Sequence, residues 1–161
     1  MRIRKVDDTI DNCKDFLKEK DAFGTTIEAY LTRYLLVLIS ASFEEEIEKI
    51  FIERGSKKND VFVKAFFENE MPNQLKSVGV SKISNFLGKF GNEYRDKFIE
   101  DVSTTPEATK YANLIKNRHL VAHETQEPQM TFNEVVKAYE DSSIVIDKLK
   151  QIIDGEAEEE I

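Results

Sequence analysis

Tryptophan is absent from this chain of 161 residues, which has only three prolines, six glycines and one cysteine. So little proline and glycine excludes collagen-like and linker-dominated sequences, and a lone cysteine excludes a disulfide scaffold. Cys13, at helical spacing from Ile10, Phe16 and Leu17, reads as small apolar filler rather than a reactive thiol. Long apolar runs are missing too: the longest, Tyr34 to Ile39, is six residues against the roughly 20 that cross a bilayer. The opening Met1-Arg-Ile-Arg-Lys-Val has no apolar region of the kind a secretion signal needs. The expectation is a soluble, cytoplasmic protein with no membrane association. Positive net charge is also lacking. The formal charge is −8, which argues against a broad phosphate-binding footprint driven by counterion release. Five of the 31 acidic residues fall in 154–161, so residues 1–153 carry 26 acids against 23 bases, a net of −3. Any nucleic-acid site is therefore small and local.

What is present is helical periodicity. Apolar residues recur at intervals of three and four almost throughout, and no stretch shows the sustained alternation of a half-buried strand, so the fold class is all-α. Val6, Ile10, Cys13 and Leu17 mark a first helix ending near Gly24. Thr25 to Glu28 reads as a capping box opening a long helix. Its stripe runs through Ile27, Leu31, Tyr34, Leu38, Phe43, Ile47, Ile50 and Phe51 to Gly55. Val61, Phe62, Ala65 and Phe66 predict a short helix, after which Pro72 and Gly79 punctuate the path to Ile83, Phe86 and Leu87. Thr104-Thr105-Pro106-Glu107 is a second start signal, combining a hydroxyl cap, proline in the first turn and an early acid. Tyr111, Leu114 and Ile115 continue that helix, which stops before Pro128. Thr131 to Glu134 then caps a last helix striped by Val135, Tyr139, Ile146, Leu149 and Ile153. The economical architecture is an antiparallel bundle of four main helices with additional short ones, one domain over residues 1–153 with an acidic tail over 154–161.

Both histidines fall within the segment Asn117-Arg118-His119-Leu120-Val121-Ala122-His123. At 100° per residue, Arg118 projects from the apolar side that carries Tyr111, Leu114 and Ile115. A charge on such a face needs a carboxylate, a subunit interface or an anionic ligand. His119 and His123, four residues apart, share one side of the helix. One chemistry for the pair is a metal site with Glu124, although the glutamate that follows the first histidine in zinc-protease helices is missing. The other needs no metal: an imidazole moves a proton near neutral pH while an arginine stabilises negative charge developing on a phosphate. This suits Arg118 and His123.

The stretch Arg118-His119-Leu120-Val121-Ala122-His123 resembles the Arg-polar-x-x-x-His signature of HEPN domains (higher eukaryotes and prokaryotes nucleotide-binding). It lies late in an all-helical chain and is followed by one long amphipathic helix. The Phe86-Leu87 to Phe90-Gly91 stretch resembles the prokaryotic RiboL-PSP branch. The resemblance implies a metal-independent endoribonuclease without cofactor, of the toxin or antiviral-defence kind, whose two copies pair so that both motifs face one cleft. An antitoxin or defence-system protein is an implied further partner. By carry-over, His123 deprotonates or positions a ribose 2′-hydroxyl for in-line attack on the adjacent phosphate and Arg118 stabilises the phosphoryl oxygens, leaving a 2′,3′-cyclic phosphate and a 5′-hydroxyl. His119 and Asn117 read as supporting or substrate-positioning residues. Lys110 and Lys116 would bind RNA, and Glu44, following Phe43, resembles an aromatic-then-acid element that orients the motif. Some members carry a modifiable tyrosine two residues after the histidine; here that residue is Thr125. Two other functions compete: a noncatalytic helical module that binds RNA, a nucleotide or a protein through the same groove, and a metal-binding bundle dependent on His119.

Overall fold

The computed structural model describes residues 2–57, 60–123 and 127–155, without the side chain of His123. Among the described residues the chain forms seven α-helices, one π-helical segment and no strand. The helices are α1 (Arg4–Glu19), α2 (Thr26–Ser56), α3 (Val61–Gln74), α4 (Val80–Leu87), α5 (Asn92–Phe98), α6 (Pro106–His123) and α7 (Phe132–Asp154), with the π-helical segment Ile99–Ser103 following α5. None of them is long and apolar enough to cross a membrane.

Helix α1 buries Val6, Ile10, Cys13 and Leu17 as the periodicity predicts, but ends at Glu19 rather than near Gly24. Asp21, in the left-handed region (φ 48°), closes it. The Asp21 and Ala22 amides donate to the carbonyls of Lys18 and Leu17 in a Schellman arrangement. Gly24 (φ 75°) serves the next turn. Thr25 caps α2 by accepting from the Ile27 amide rather than from residue 28. Glu28 does not complete the predicted capping box either, since its two carboxylate oxygens accept from the amides of Gly24 (2.6 Å) and Phe132 (3.1 Å). It thereby ties the start of α2 to the start of α7. The other two start signals form as read: Thr105 caps α6 through the Ala108 amide, and Thr131 with Glu134 makes a reciprocal capping box.

The core lies where α2, α6 and α7 pack on one another, with α1 and α3 laid against α2. Phe43 on α2 sits between Tyr111 on α6 and Tyr139 on α7, its ring centroid 5.5 and 5.8 Å from theirs. Two stripes depart from expectation. Helix α2 is apolar nearly all round between 34 and 39, so several faces compete for the interior. The face bearing Leu35, Leu36, Ile39, Phe43 and Ile47 wins, leaving Ile27 and Tyr34 exposed. In α3 the predicted helix forms, but Val61, Phe62 and Phe66 face outward while Phe67 and Met71 pack inward. Pro72 lies inside α3, near its end, where only the last turn loses a bond. Asp154, grouped by composition with the acidic tail, is the last residue of α7 and pairs with Lys57 and Lys150. The tail residues 156–161 lie outside the described residues.

Candidate functional site

The site grows from the aromatic centre of the core. Burial of Tyr111 beside the negative Glu44 pushes its hydroxyl pKa well up, so the phenol stays neutral. It donates to the Val78 carbonyl at 2.6 Å. A buried hydroxyl left without a partner costs about 1–3 kcal/mol, so this bond pins the segment between α3 and α4 to the first half of α6. Next to Val78, Ser77 adopts a positive φ of 51°. That left-handed conformation disfavours a non-glycine residue by roughly 1–2 kcal/mol. Two side chains meet there. The Glu44 carboxylate accepts from the Ser77 amide at 2.9 Å, and Arg118 Nη1 donates to the Ser77 hydroxyl at 3.3 Å. Glu44 is thus linked to Arg118 through Ser77.

Around this bridge lies a groove of about 540 Å³ between α2, the start of α4 and α6. Glu44, Lys116, Arg118 and His119 share it, on a floor that includes Val80, Ala112 and Ile115. Arg118 is half-buried, with His119 and Lys116 exposed at its rim. The cation that the helical wheel places on an apolar face therefore reaches a groove at the edge of the core, where a few polar side chains stand over a largely apolar lining. The acidic side of α2 continues past Glu44. Glu48, partly desolvated and close to Glu44 and Glu45, has its carboxyl pushed upward, with Lys76 acting against the shift.

The remaining sequence-derived residues fall elsewhere. Asn117 is 5% exposed; its amide donates to the Asn113 carbonyl (3.0 Å) and accepts from the Gln129 amide (2.7 Å). It fastens the chain beyond the motif back onto α6. Lys110 pairs with Asp141 on α7 and lines a neighbouring groove, which Lys116 also borders. Helix α6 runs unbroken to His123. The two motif positions are thus five residues apart, about 7.5 Å along the axis and roughly 140° round it. The His123 side chain, Glu124 and Thr125 lie outside the described residues, and with them the metal alternative and the tyrosine-modification position. Sequence reasoning missed Ser77. Its signal is tertiary, a polar residue in a short turn that meets α2 and α6 only after folding.

The all-α bundle fits a HEPN domain, a class of nuclease-type or RNA-binding modules. The model of the RiboL-PSP-HEPN family matches residues 2–155, and the chain belongs to that family. No curated protein and no solved structure matches the chain.

Proposed function

We propose that the protein is a metal-independent endoribonuclease acting as a homodimer, with Arg118 and His123 as its catalytic residues. The observation that carries this reading is the Arg118 groove in a member of the HEPN class: an arginine braced by Glu44 and Ser77 opens toward solvent between exposed Lys116 and His119. Such a groove suits an anion. In the reaction, the His123 imidazole takes the proton of a ribose 2′-hydroxyl. The 2′-oxygen bonds to the adjacent phosphorus while the bond to the 5′-oxygen breaks. The 5′-oxygen leaves with a proton from the imidazolium or from water. Arg118 stabilises charge on the non-bridging oxygens. The products are a 2′,3′-cyclic phosphate and a 5′-hydroxyl.

Pairing is supported by α2. Ile27, Tyr30, Tyr34, Val37 and Ala41 are exposed at alternating intervals of three and four, the spacing of a helix-pairing seam. One further step along the same register reaches Glu44, so the seam runs into the candidate site. A second copy seated there would bring its own α6 toward the groove and close a cleft over the RNA.

Purified protein is incubated with mixed-sequence RNA in EDTA beside Arg118→Ala and His123→Ala, followed by end-group analysis. Cleavage by the wild type leaving cyclic phosphates is expected, with losses of roughly 10²–10³-fold for Arg118→Ala and 10²–10⁴-fold for His123→Ala. RNA that binds but stays intact would favour the noncatalytic module. Cleavage equal in all three proteins would reject both residue assignments.

A further inference from the structure

We propose that a second groove, between α6 and α7, carries the phosphodiester backbone of single-stranded RNA onward from the Arg118 groove, with Lys137 as its anchor on α7. This inference rests on the RNA-cleaving reading above and adds the path of the substrate. The groove, about 390 Å³, is lined by Lys110, Asn113 and Lys116 from α6, by Lys137 from α7 and by Gln129. Lys116 borders both grooves, so the two are neighbours across the exposed ridge of α6.

The charge pattern distinguishes this groove in a chain whose formal charge is −8. Three lysines converge on it, and the two acids beside them are already engaged. Glu134 accepts from the Thr131 amide and hydroxyl in the α7 capping box, and Asp141 pairs with Lys110. Lys116 and Lys137 are exposed and, among the described residues, not ion-paired. Asn117 is spent on building the wall, whereas the exposed amide side chains of Asn113 and Gln129 supply neutral donors. From Lys110 to Arg118 the path covers about 12 Å of α6, roughly three to four stacked nucleotides at about 3.4 Å each. A single strand fits this path because in-line attack needs a sugar–phosphate backbone free of duplex geometry.

The probe is a fluorescent 2′-O-methyl oligonucleotide of about a dozen nucleotides, whose blocked 2′-oxygens prevent cleavage. Its binding is measured by anisotropy over a range of salt. Lys137→Ala is expected to weaken binding roughly three- to tenfold and to reduce the salt slope by about 0.7, the share of one phosphate contact on a single strand. Lys137→Arg should restore the slope, and Lys148→Ala, also exposed on α7, should leave both quantities at the wild-type value. Thermal midpoints of all variants are compared to exclude misfolding. Wild-type protein that neither binds the probe nor cleaves unmodified RNA overturns the RNA reading itself. Wild-type binding that Lys137→Ala and Lys137→Glu leave unaltered in affinity and slope overturns the second groove alone.

Discussion

Ser77 holds a backbone conformation that costs a non-glycine residue free energy, at the point where Glu44 and Arg118 converge. The cost is offset by two bonds, one to its amide and one to its hydroxyl, and by the Tyr111 anchor on Val78. Removing the hydroxyl leaves the backbone bond to Glu44 in place and takes one hydrogen bond from the guanidinium. A partly exposed hydrogen bond to a charged group contributes on the order of 1 kcal/mol, so Ser77→Ala should lower RNA cleavage about fivefold. Ser77→Gly loses the same hydroxyl but relieves the positive φ while loosening the unfolded chain, two effects of similar size and opposite sign. Its thermal midpoint should therefore stay within a few degrees of wild type while its cleavage falls as in Ser77→Ala. Cleavage assays and melting curves on the two variants separate these effects; undiminished turnover in both would show that Arg118 is held without Ser77. Glu44 was legible in the sequence and Ser77 was not. Glu44 follows a core aromatic on a strongly periodic helix, whereas nothing local marks the turn at Ser77.

At the level of elements, α7 is secured at both ends by carboxylates. Glu134 is held below its ordinary range by the Thr131 amide and hydroxyl, and Asp154 by its hydrogen bond to Lys57, with Lys150 assisting against partial burial. A carboxyl depressed by folding contributes stability at pH values above its unfolded pKa and loses it as pH falls through the folded value. Thermal stability should thus decline as pH drops below about 4.5, the ordinary glutamate value, and Glu134→Gln should flatten that decline. Circular-dichroism melts between neutral pH and pH 3 test this; equal pH dependence in wild type and variant would assign the decline to other carboxylates. Thr131→Ala, which removes the cap itself, should cost about 1 kcal/mol at neutral pH. Within α2, an added Cβ at Gly55 would lie 2.5 Å from the Phe67 ring. Gly55→Ala should consequently loosen α3 and lower the thermal midpoint, whereas the same change at a helical glycine in open space would raise it.

For the whole molecule, the exposed seam on α2 matters most. Tyr30 and Tyr34 are 61% and 54% exposed, so placing a charge there disturbs little of the folded chain. On the proposed dimeric ribonuclease reading, Tyr30→Glu with Tyr34→Glu should shift the protein from dimer to monomer in sedimentation and reduce cleavage sharply, with the protomer's helix content intact. A double variant that still sediments as a dimer would move the interface elsewhere. The acidic net charge is compatible with the proposed pairing, because a cleft shared by two copies would need only a local set of cations.

Much of the fold was written in local pattern. Spacing of three and four specified helices because one face of each must leave water. The Thr105-Pro106 and Thr131-to-Glu134 signals marked the starts of α6 and α7 because hydroxyl and carboxylate side chains satisfy amides their own helix leaves unpaired. The Arg118 to His123 motif likewise pointed to the family before any geometry was known. Tertiary structure decided what local pattern left degenerate. Helix α2 is apolar on several sides, and packing chose which residues entered the core and which formed an exposed seam. Glu28, read as a local cap, was drawn to the Phe132 amide, a partner 104 positions away. Ser77 joined Glu44 to Arg118, and Lys137 came to face Lys116, because contacts between distant elements exist only once the chain has folded.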